Sequence, residues 1–495
     1  MAPASRTPGL LAPLFIAGVC VLWGLLPELA VFSDGVQLQD MVERRPAPYY
    51  NAAYVPLGWS LHRSLEPLCG WSVAQALGWL SALAVGGGLL ACLGMLRGRG
   101  ARAGERLLWV ALLAVAPGLG FHANVLEVHA LQFTGAALAT WIAVRAGRAR
   151  GQAAATGLAY ACTLALLFHL THALLLPGLL VLALGRDALR PGPLLRGVLS
   201  TAVVAGATLF SLWGLTTLLD GQRGAVSAAR TLPGMASYFT AALSSRGFFS
   251  LREVGAFVLD EYLLAWGALG LIPLSWAWLR TRAAAAASLV FAAHVLVIAQ
   301  SGIREQGGYG LSLLPLLALT GWEAQQRWAR TGRGARLLPL AAGLALMASA
   351  ALSARTQHEQ RVRVPLWDWR ERVVAVCGPE AHVITASLPR YHALSYGRRV
   401  GSIWDVRRDY ETTPRARWDQ AYARSTVGAL RALEQGRPVY VDADVVRQGA
   451  RDAGLEEFLQ RLEAGGVRLA PRPAEAPEPL LYRVVLPARS TGAGG

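Results

Sequence analysis

Lysine does not occur anywhere in this chain: all 47 basic residues are arginine. That absence removes Schiff-base chemistry and any phosphate-gripping ammonium group, so an anionic ligand must be met by arginine, histidine or backbone amides. Cysteine is scarce as well. Cys20, Cys69, Cys92, Cys162 and Cys377 are scattered, most of them inside apolar runs, with no CxxC spacing, so neither a metal site nor a structural disulfide is expected. Charge is thin, at 16% of residues against about 25% in an average globular domain. Long stretches of the first part of the chain carry almost none.

What fills the sequence instead is apolar. With 495 residues, 54% of them hydrophobic, and a mean hydropathy of +0.37, the chain cannot be packed as one soluble core without leaving large apolar surfaces in water. Apolar segments run over residues 10–32, 71–96, 107–121, 130–144, 153–169, 172–185, 194–219, 254–279, 283–300, 310–326 and 337–354. They predict an α-helical polytopic membrane protein of about eleven spans. Several fall short of the roughly 20 residues needed to cross a bilayer, so bent or re-entrant backbone is expected around Phe121–Ala130 and His169–His172. The first segment, Leu10–Phe32, is too long and too poorly furnished with a cleavage site for a removed signal peptide, and reads as the first span.

A formal net charge of +16 reads as topology rather than nucleic-acid binding, because the arginines cluster in short connections between apolar runs. Arg97, Arg99, Arg102 and Arg106 form one such group, followed by Arg145, Arg148 and Arg150, then Arg186, Arg190 and Arg196, then Arg280 and Arg282, then Arg327, Arg330, Arg333 and Arg336. Alternate connections hold Asp34, Asp40, Glu43, Glu127, Asp220, Glu253 and Glu305 instead. The positive-inside rule therefore places the N-terminus in the cytoplasm and, with an odd number of crossings, everything after Ala354 outside, as in a bacterial inner membrane.

From Arg355 the composition becomes that of a soluble domain. A helix opened by Pro365 is expected through Cys377, with short β runs at His382–Ser387, Arg399–Trp404, Pro438–Asp442, Val467–Leu469 and Leu480–Leu486. Helices at Arg415–Gln435 and Asp444–Ala464 lie between them, stopped by Gly436 and by Gly465-Gly466. The expected division is a membrane domain over residues 1–354, a small α/β domain over 355–489 and a disordered tail over 490–495. No GxGxxG, P-loop or nucleophile elbow marks the C-terminal part, so no chemistry of its own is expected there.

Polar residues interrupt the apolar pattern on the expected outer side in three places. Asp34 directly follows the first span; it reads either as a partly desolvated general base or as the N-cap of an amphipathic helix over residues 35–43. Glu127 lies in Phe121-His-Ala-Asn-Val-Leu-Glu-Val-His-Ala130, where an unpaired charge would cost about 2.5–3.5 kcal/mol, so a partner or a watered cavity is required. His122 and His129 read as that partner or as interfacial residues. The third place combines Phe168-His-Leu-Thr-His172 with Gly302-Ile-Arg-Glu-Gln-Gly-Gly-Tyr309, in which Arg304 either meets an anion bidentately or pairs locally with Glu305. His294, deep in a later apolar run, reads as a satisfied core histidine. Trp276, Trp278, Trp322 and Trp328 read as interfacial anchors. Trp367 and Trp369 read as packing at the headgroup level or against the spans, with sugar stacking as the alternative.

These segments resemble the GT-C class of membrane glycosyltransferases, and within it the protein O-mannosyltransferase-like branch. That branch opens with Asp-x-x-Glu and a His-Pro-Pro-Gly-Tyr-Pro stretch, then carries Glu-Val-Tyr-x-Leu after span three and Asn-His before a Pro-containing span. Here the matching segments are Asp34-Gly-Val-Gln37, Asn51-Ala-Ala-Tyr-Val-Pro56, Glu127-Val-His-Ala-Leu131, and Thr171-His172 with Pro177. Gln37 stands where the branch has its second acid, and the Pro-Pro-Gly-Tyr stretch is replaced.

The resemblance implies sugar transfer from a polyprenyl-phosphate carrier to a protein or lipid-linked acceptor on the outer face, with inversion. It implies Asp34 and Glu127 as catalytic residues. Gln37, Asp40, Tyr54, His129, His169, His172, Arg304, Glu305 and Tyr309 are the implied substrate contacts. No cofactor is required; a divalent cation is left without assigned ligands. Two other classes compete: a transporter or lipid-carrier flippase, whose expected mark is an internal repeat that this sequence lacks, and an inactive glycan- or lipid-binding relative, for which Gln37 speaks.

Overall fold

The fold is seen in a computed structural model, which describes residues 10–25, 38–39, 42, 53–149, 151–208, 211, 249–276, 279–300, 305, 307–361, 366–395, 400–411, 415–472 and 479–486. Helices dominate up to residue 361, and a five-stranded sheet follows. The expected tail over 490–495 lies outside the described residues.

Small residues decide how the N-terminal helices pack. Helix Val73–Gly98 opens on a capping box in which Ser72 and Gln75 exchange side-chain-to-backbone hydrogen bonds, and it carries the run Gly86-Gly87-Gly88. A Cβ at Gly86 would overlap the Cys20 sulfur of helix Leu11–Leu25, and one at Gly88 would lie 2.5 Å from the Phe133 ring of helix His129–Ala146. Hydrogen side chains at these points let three helices approach closely, the usual solution where lipid supplies no hydrophobic force between them.

Where the apolar runs were short, the chain breaks as expected. Helix Ala103–Ala114 ends before Pro117, which starts the short helix Pro117–His122, because proline has no N–H to continue the ladder. Residues 123–128 are irregular and buried. His169, at φ −164° and ψ 134°, is extended and separates helix Gln152–Phe168 from the 3₁₀ turn Leu170–Leu175 and helix Leu176–Leu184.

One expected span is not straight. Residues 254–279 read as a single crossing, but Leu251–Leu264 and Gly267–Ser275 meet at 115°. Gly267 takes φ +58°, where a Cβ would lie 2.7 Å from the Ser349 hydroxyl oxygen; that hydroxyl instead accepts the Ala268 N–H at 2.8 Å. A left-handed glycine and a hydroxyl cap thus turn the chain where hydropathy alone sees continuity. Among the described residues, Val73–Gly98, Thr171–Leu189 and Arg282–Ala299 are long and apolar enough to cross a membrane, and the bent pair makes a fourth if it counts as one span. Leu11–Leu25 and Gln152–Phe168 are apolar but shorter.

The arginine-rich connections meet one another. Arg99 pairs with Glu323 at 2.8 Å, Glu105 accepts from the Trp322 indole at 3.2 Å, Arg148 donates to the Gly98 carbonyl, and Arg282 donates to the Gly147 carbonyl at 3.5 Å. These contacts join the expected connections around residues 97–106, 145–150 and 280–282 with one another and with the end of the expected span 310–326.

Helix Gly332–Arg361 runs on past the change of composition at residue 355. In the sheet, of order β2-β1-β3-β5-β4, β1 (His382–Thr385) lies parallel to β2 (Ser402–Asp405) and β3 (Val439–Asp442), while β5 (Leu481–Val485) is antiparallel to β3 and β4 (Arg468–Arg472). Both faces are covered: Ile384, Val439 and Val441 pack with Tyr422 and Phe458, and Val383 and Tyr440 with Trp369 and Val373. Two-sided burial is what the unbroken apolar character of β1 and β3 demands. Trp369, expected at the headgroup level or against the spans, is instead part of this core at 2% exposure.

The expected helix Asp444–Ala464 is two, Ala443–Gly449 and Ala453–Ala464. Asp452 breaks it by accepting the N–H groups of Gly454 and Leu455, which favours a helix start over continuation. Asp442, fully buried, is held by Arg390 at 2.7 Å and by the Thr385 hydroxyl at 3.2 Å. The sheet-bearing part touches the helical part where the Arg415 N–H donates to Glu253 at 2.8 Å.

Burial, and then the nearby Arg437, hold the His382 imidazole down at about 4, below its ordinary value of about 6.5. The unfolded chain then binds more protons than the folded one between those values. This contribution is complete above about pH 6.5 and is lost as pH falls toward 4, a change of about 3 kcal/mol. Thermal unfolding of the full-length protein in detergent should show a melting temperature that falls across this range, and His382→Gln should flatten that dependence.

Candidate active site

Residues of three expected outer connections, 122–129, 169–172 and 305–309, converge on one buried cluster. His122, His129, His169 and His172 are each at most 6% exposed. The rings of His122 and His129 are 4.8 Å apart between centroids, those of His129 and His169 6.0 Å, and those of His169 and His172 6.1 Å. Tyr309 stands edge-on to His129 at 5.4 Å and to His169 at 6.5 Å.

Each ring is fixed by what it bonds. His122 Nε2 donates to the Glu305 carbonyl at 3.1 Å, and His172 Nδ1 to the Ala165 carbonyl at 2.6 Å. His129 Nδ1 meets Gln132 Oε1 at 2.5 Å; one turn separates the two residues on helix His129–Ala146, so they share a face. Gln132 Nε2 donates to the Thr171 hydroxyl oxygen at 3.2 Å, and that oxygen lies 2.5 Å from His169 Nδ1. On its other side His129 Nε2 lies 3.9 Å from Glu305 Oε2.

Glu127, 2% exposed, accepts the Val128 N–H at 3.3 Å. Its irregular segment is tied down by Ser81, which donates to the Val125 carbonyl at 3.1 Å, and by Asn124, which donates to the Gly120 carbonyl at 2.7 Å. The 305–309 segment lies against His129 so tightly that a Cβ at Gly308 would sit 2.4 Å from the ring.

A residue that sequence reasoning passed over holds that segment. Glu261 Oε2 accepts the N–H of Glu305 at 3.0 Å and of Gly307 at 2.7 Å, and Glu261 is 5% exposed. It stands in a π-helical turn, Leu259–Leu264, a geometry enriched at functional sites. The available signal was an Asp260-Glu261 pair inside an apolar run. Gln132 was also missed, although it lies three residues beyond His129. His294, fully buried, is satisfied on both nitrogens by the hydroxyls of Tyr262 and Ser312, each at 3.3 Å, as expected of a core histidine.

Thus His129, His169, Glu305 and Tyr309 come together, with His172 beside His169. Tyr54 is fully buried in the apolar core that also holds Leu38, Val42 and Val55. Asp34, Gln37, Asp40 and Arg304 lie outside the described residues. Among the described residues no group of three or more His, Cys, Asp or Glu could hold a metal ion.

No protein-family model and no curated protein matches this chain. Solved structures do. ArnT from Cupriavidus metallidurans bound to undecaprenyl phosphate is similar at a TM-score of 0.50 and 15% identity, over 96% of this chain and 98% of that one. Its apo state gives the same score and identity over 97% and 98%. The Archaeoglobus fulgidus oligosaccharyltransferase in the apo form is similar at 0.51 and 12% identity, over 98% of this chain and 75% of that one. At such identities the likeness is one of fold alone: the chain shares the fold of these proteins.

Replacing Glu261 by alanine removes an acceptor shared by two buried amides. Hydrogen bonds to charged groups contribute about 1.5–3 kcal/mol each, so Glu261→Ala should lower the melting temperature in detergent and speed hydrogen exchange in peptides spanning residues 305–310. Unchanged exchange in those peptides would show that Glu261 does not hold the segment.

Proposed function

We propose that this protein is a membrane glycosyltransferase that moves a sugar from a polyprenyl-phosphate donor to a hydroxyl of a protein or glycolipid acceptor on the extracytoplasmic face. The observation that carries this reading is the meeting of polar groups from three expected outer connections in one buried cluster. The shared fold adds support, since one of the similar structures was solved with undecaprenyl phosphate.

In the proposed topology the N-terminus is cytoplasmic and about eleven crossings carry the chain to an extracytoplasmic domain over residues 355–489, with the lipid tail of the donor among the spans. The acceptor oxygen attacks the anomeric carbon while the bond from that carbon to the phosphate oxygen breaks and its electron pair leaves with the lipid phosphate. The hydroxyl proton passes to the Asp34 carboxylate, and a single displacement inverts the sugar. Arg304 stabilises the charge that develops on the leaving phosphate. Glu127 and His129 hold the acceptor or orient Asp34, and His169, His172, Glu305 and Tyr309 complete the polar wall. The segment Glu127-Val-His-Ala-Leu131 supports the O-mannosyltransferase-like branch, and Gln37, standing where that branch has its second acid, is a departure from it. No nucleotide site is needed, because the donor is lipid-linked.

The test is transfer from radiolabelled polyprenyl-phosphate sugars in membranes containing the full-length protein, compared with Asp34→Asn and Glu127→Gln at matched expression. Loss of the base should reduce transfer on the order of 100- to 10,000-fold. Undiminished transfer by Asp34→Asn would remove Asp34 as the base. No transfer from any donor by the parent would leave transport or binding as the function.

A further inference from the structure

The hydrogen bonds around His129 and His169 determine where their protons sit. A backbone amide can only donate, and the Thr171 N–H donates to His169 Nδ1 at 3.2 Å; His169 Nδ1 is therefore bare and its proton is on Nε2. The Thr171 hydroxyl, 2.5 Å from the same nitrogen, must then donate to it. With its proton so engaged, the hydroxyl oxygen accepts from Gln132 Nε2 at 3.2 Å, which turns the amide oxygen of Gln132 toward His129. His129 Nδ1, 2.5 Å from that oxygen, must carry a proton, and in the neutral ring His129 Nε2 is left with a lone pair. One main-chain N–H thus sets the direction of every bond in the chain His129–Gln132–Thr171–His169.

We infer that this chain locks His129 and His169 in opposite tautomers, so that His129 offers a bare Nε2 and His169 an Nε2–H, and that the pair is a subsite for a neutral hydroxyl group, with Gln132 and Thr171 as its positioning residues. A hydroxyl both donates and accepts, and is the group that matches one bare nitrogen and one N–H on rings 6.0 Å apart. A phosphodiester does not match: it offers lone pairs alone, and both the bare nitrogen and the Glu305 side-chain oxygen 3.9 Å from it repel them. Among the described residues no donor reaches that Glu305 oxygen, which is buried, so a hydroxyl proton entering here meets two acceptors. His129 and His169 are 2% and 6% exposed, and in such surroundings an unmatched acceptor is costly enough to discriminate between ligands. That the hydroxyl belongs to a sugar or its acceptor rests on the glycosyltransferase reading; the tautomers do not.

The experiment is 15N NMR of histidine-labelled full-length protein in nanodiscs, with signals assigned by their loss in His129→Gln and His169→Gln. The parent should show protonated Nδ1 for His129 and protonated Nε2 for His169. Gln132→Leu should release His129 into a mixture of tautomers while His169, held by the main chain, keeps its own, and Thr171→Ser should behave as the parent. Adding methyl α-mannopyranoside should shift the His129 Nε2 signal, and dimethyl phosphate should not. The same tautomer in both rings of the parent, a shift with dimethyl phosphate instead of the glycoside, or no response to the glycoside at its solubility limit would overturn the inference. In the transfer assay, Gln132→Leu should lower kcat by about 10- to 100-fold and leave KM for the lipid donor near the parent value, because the phosphate is bound elsewhere. Opposite tautomers in a parent that transfers no sugar would refute the enzymatic reading and uphold the tautomer assignment.

Discussion

Polar groups carried into an apolar bundle must satisfy one another there, because neither lipid nor packed side chains will do it. Much of this structure follows from that constraint. Five imidazoles and two carboxylates, those of Glu127 and Glu261, are at most 6% exposed within the helical part, and the helices that carry them are interrupted where they meet. The extended residue His169, the irregular segment 123–128 and the residues Glu305, Gly307 and Gly308 all free backbone groups that a straight helix would have consumed. Those freed groups are what the side chains bind: the Glu305 carbonyl takes His122, the Thr171 amide takes His169, and the Glu305 and Gly307 amides take Glu261. Broken helices and buried polar residues are therefore two aspects of one solution.

This explains why parts of the fold were legible in the sequence. Apolar run length locates helices well, because burial in a bundle or in lipid depends on composition over many residues; Val73–Gly98 and Arg282–Ala299 fall nearly where hydropathy places them. Runs too short to cross announced the breaks at 121–130 and 169–172. The bend at Gly267 was not announced, because it rests on a left-handed glycine and a hydroxyl 81 residues away, and hydropathy averages over both. In the C-terminal domain, alternating β and helical patterns located all five strands. The split at Asp452 depended on its carboxylate capping a second helix, a choice that a periodicity count cannot see.

The site was partly legible for a related reason. A charge or imidazole inside an apolar run is costly, and that cost singled out Glu127, His129, His169, His172 and Glu305. Glu261 and Gln132 escaped for different reasons. Glu261 lies in a run read as one straight span, and Gln132 is uncharged, so its cost registers only once its neighbours are known. Trp369 shows the opposite error: an aromatic at a domain start looks interfacial until the sheet it packs on is in view.

The π-helical turns at Leu259–Leu264 and Val295–Ala299 carry an implication for how this fold tolerates change of length. Each accommodates one residue more than an α-helix of the same rise, so removing one residue there would restore regular winding and leave the helix beyond it in register. Along most of a helix a single-codon deletion rotates all that follows by about 100°; at these two places it would disturb only the residues of the turn itself, Glu261 and Tyr262 among them, while leaving the helices more regular than before.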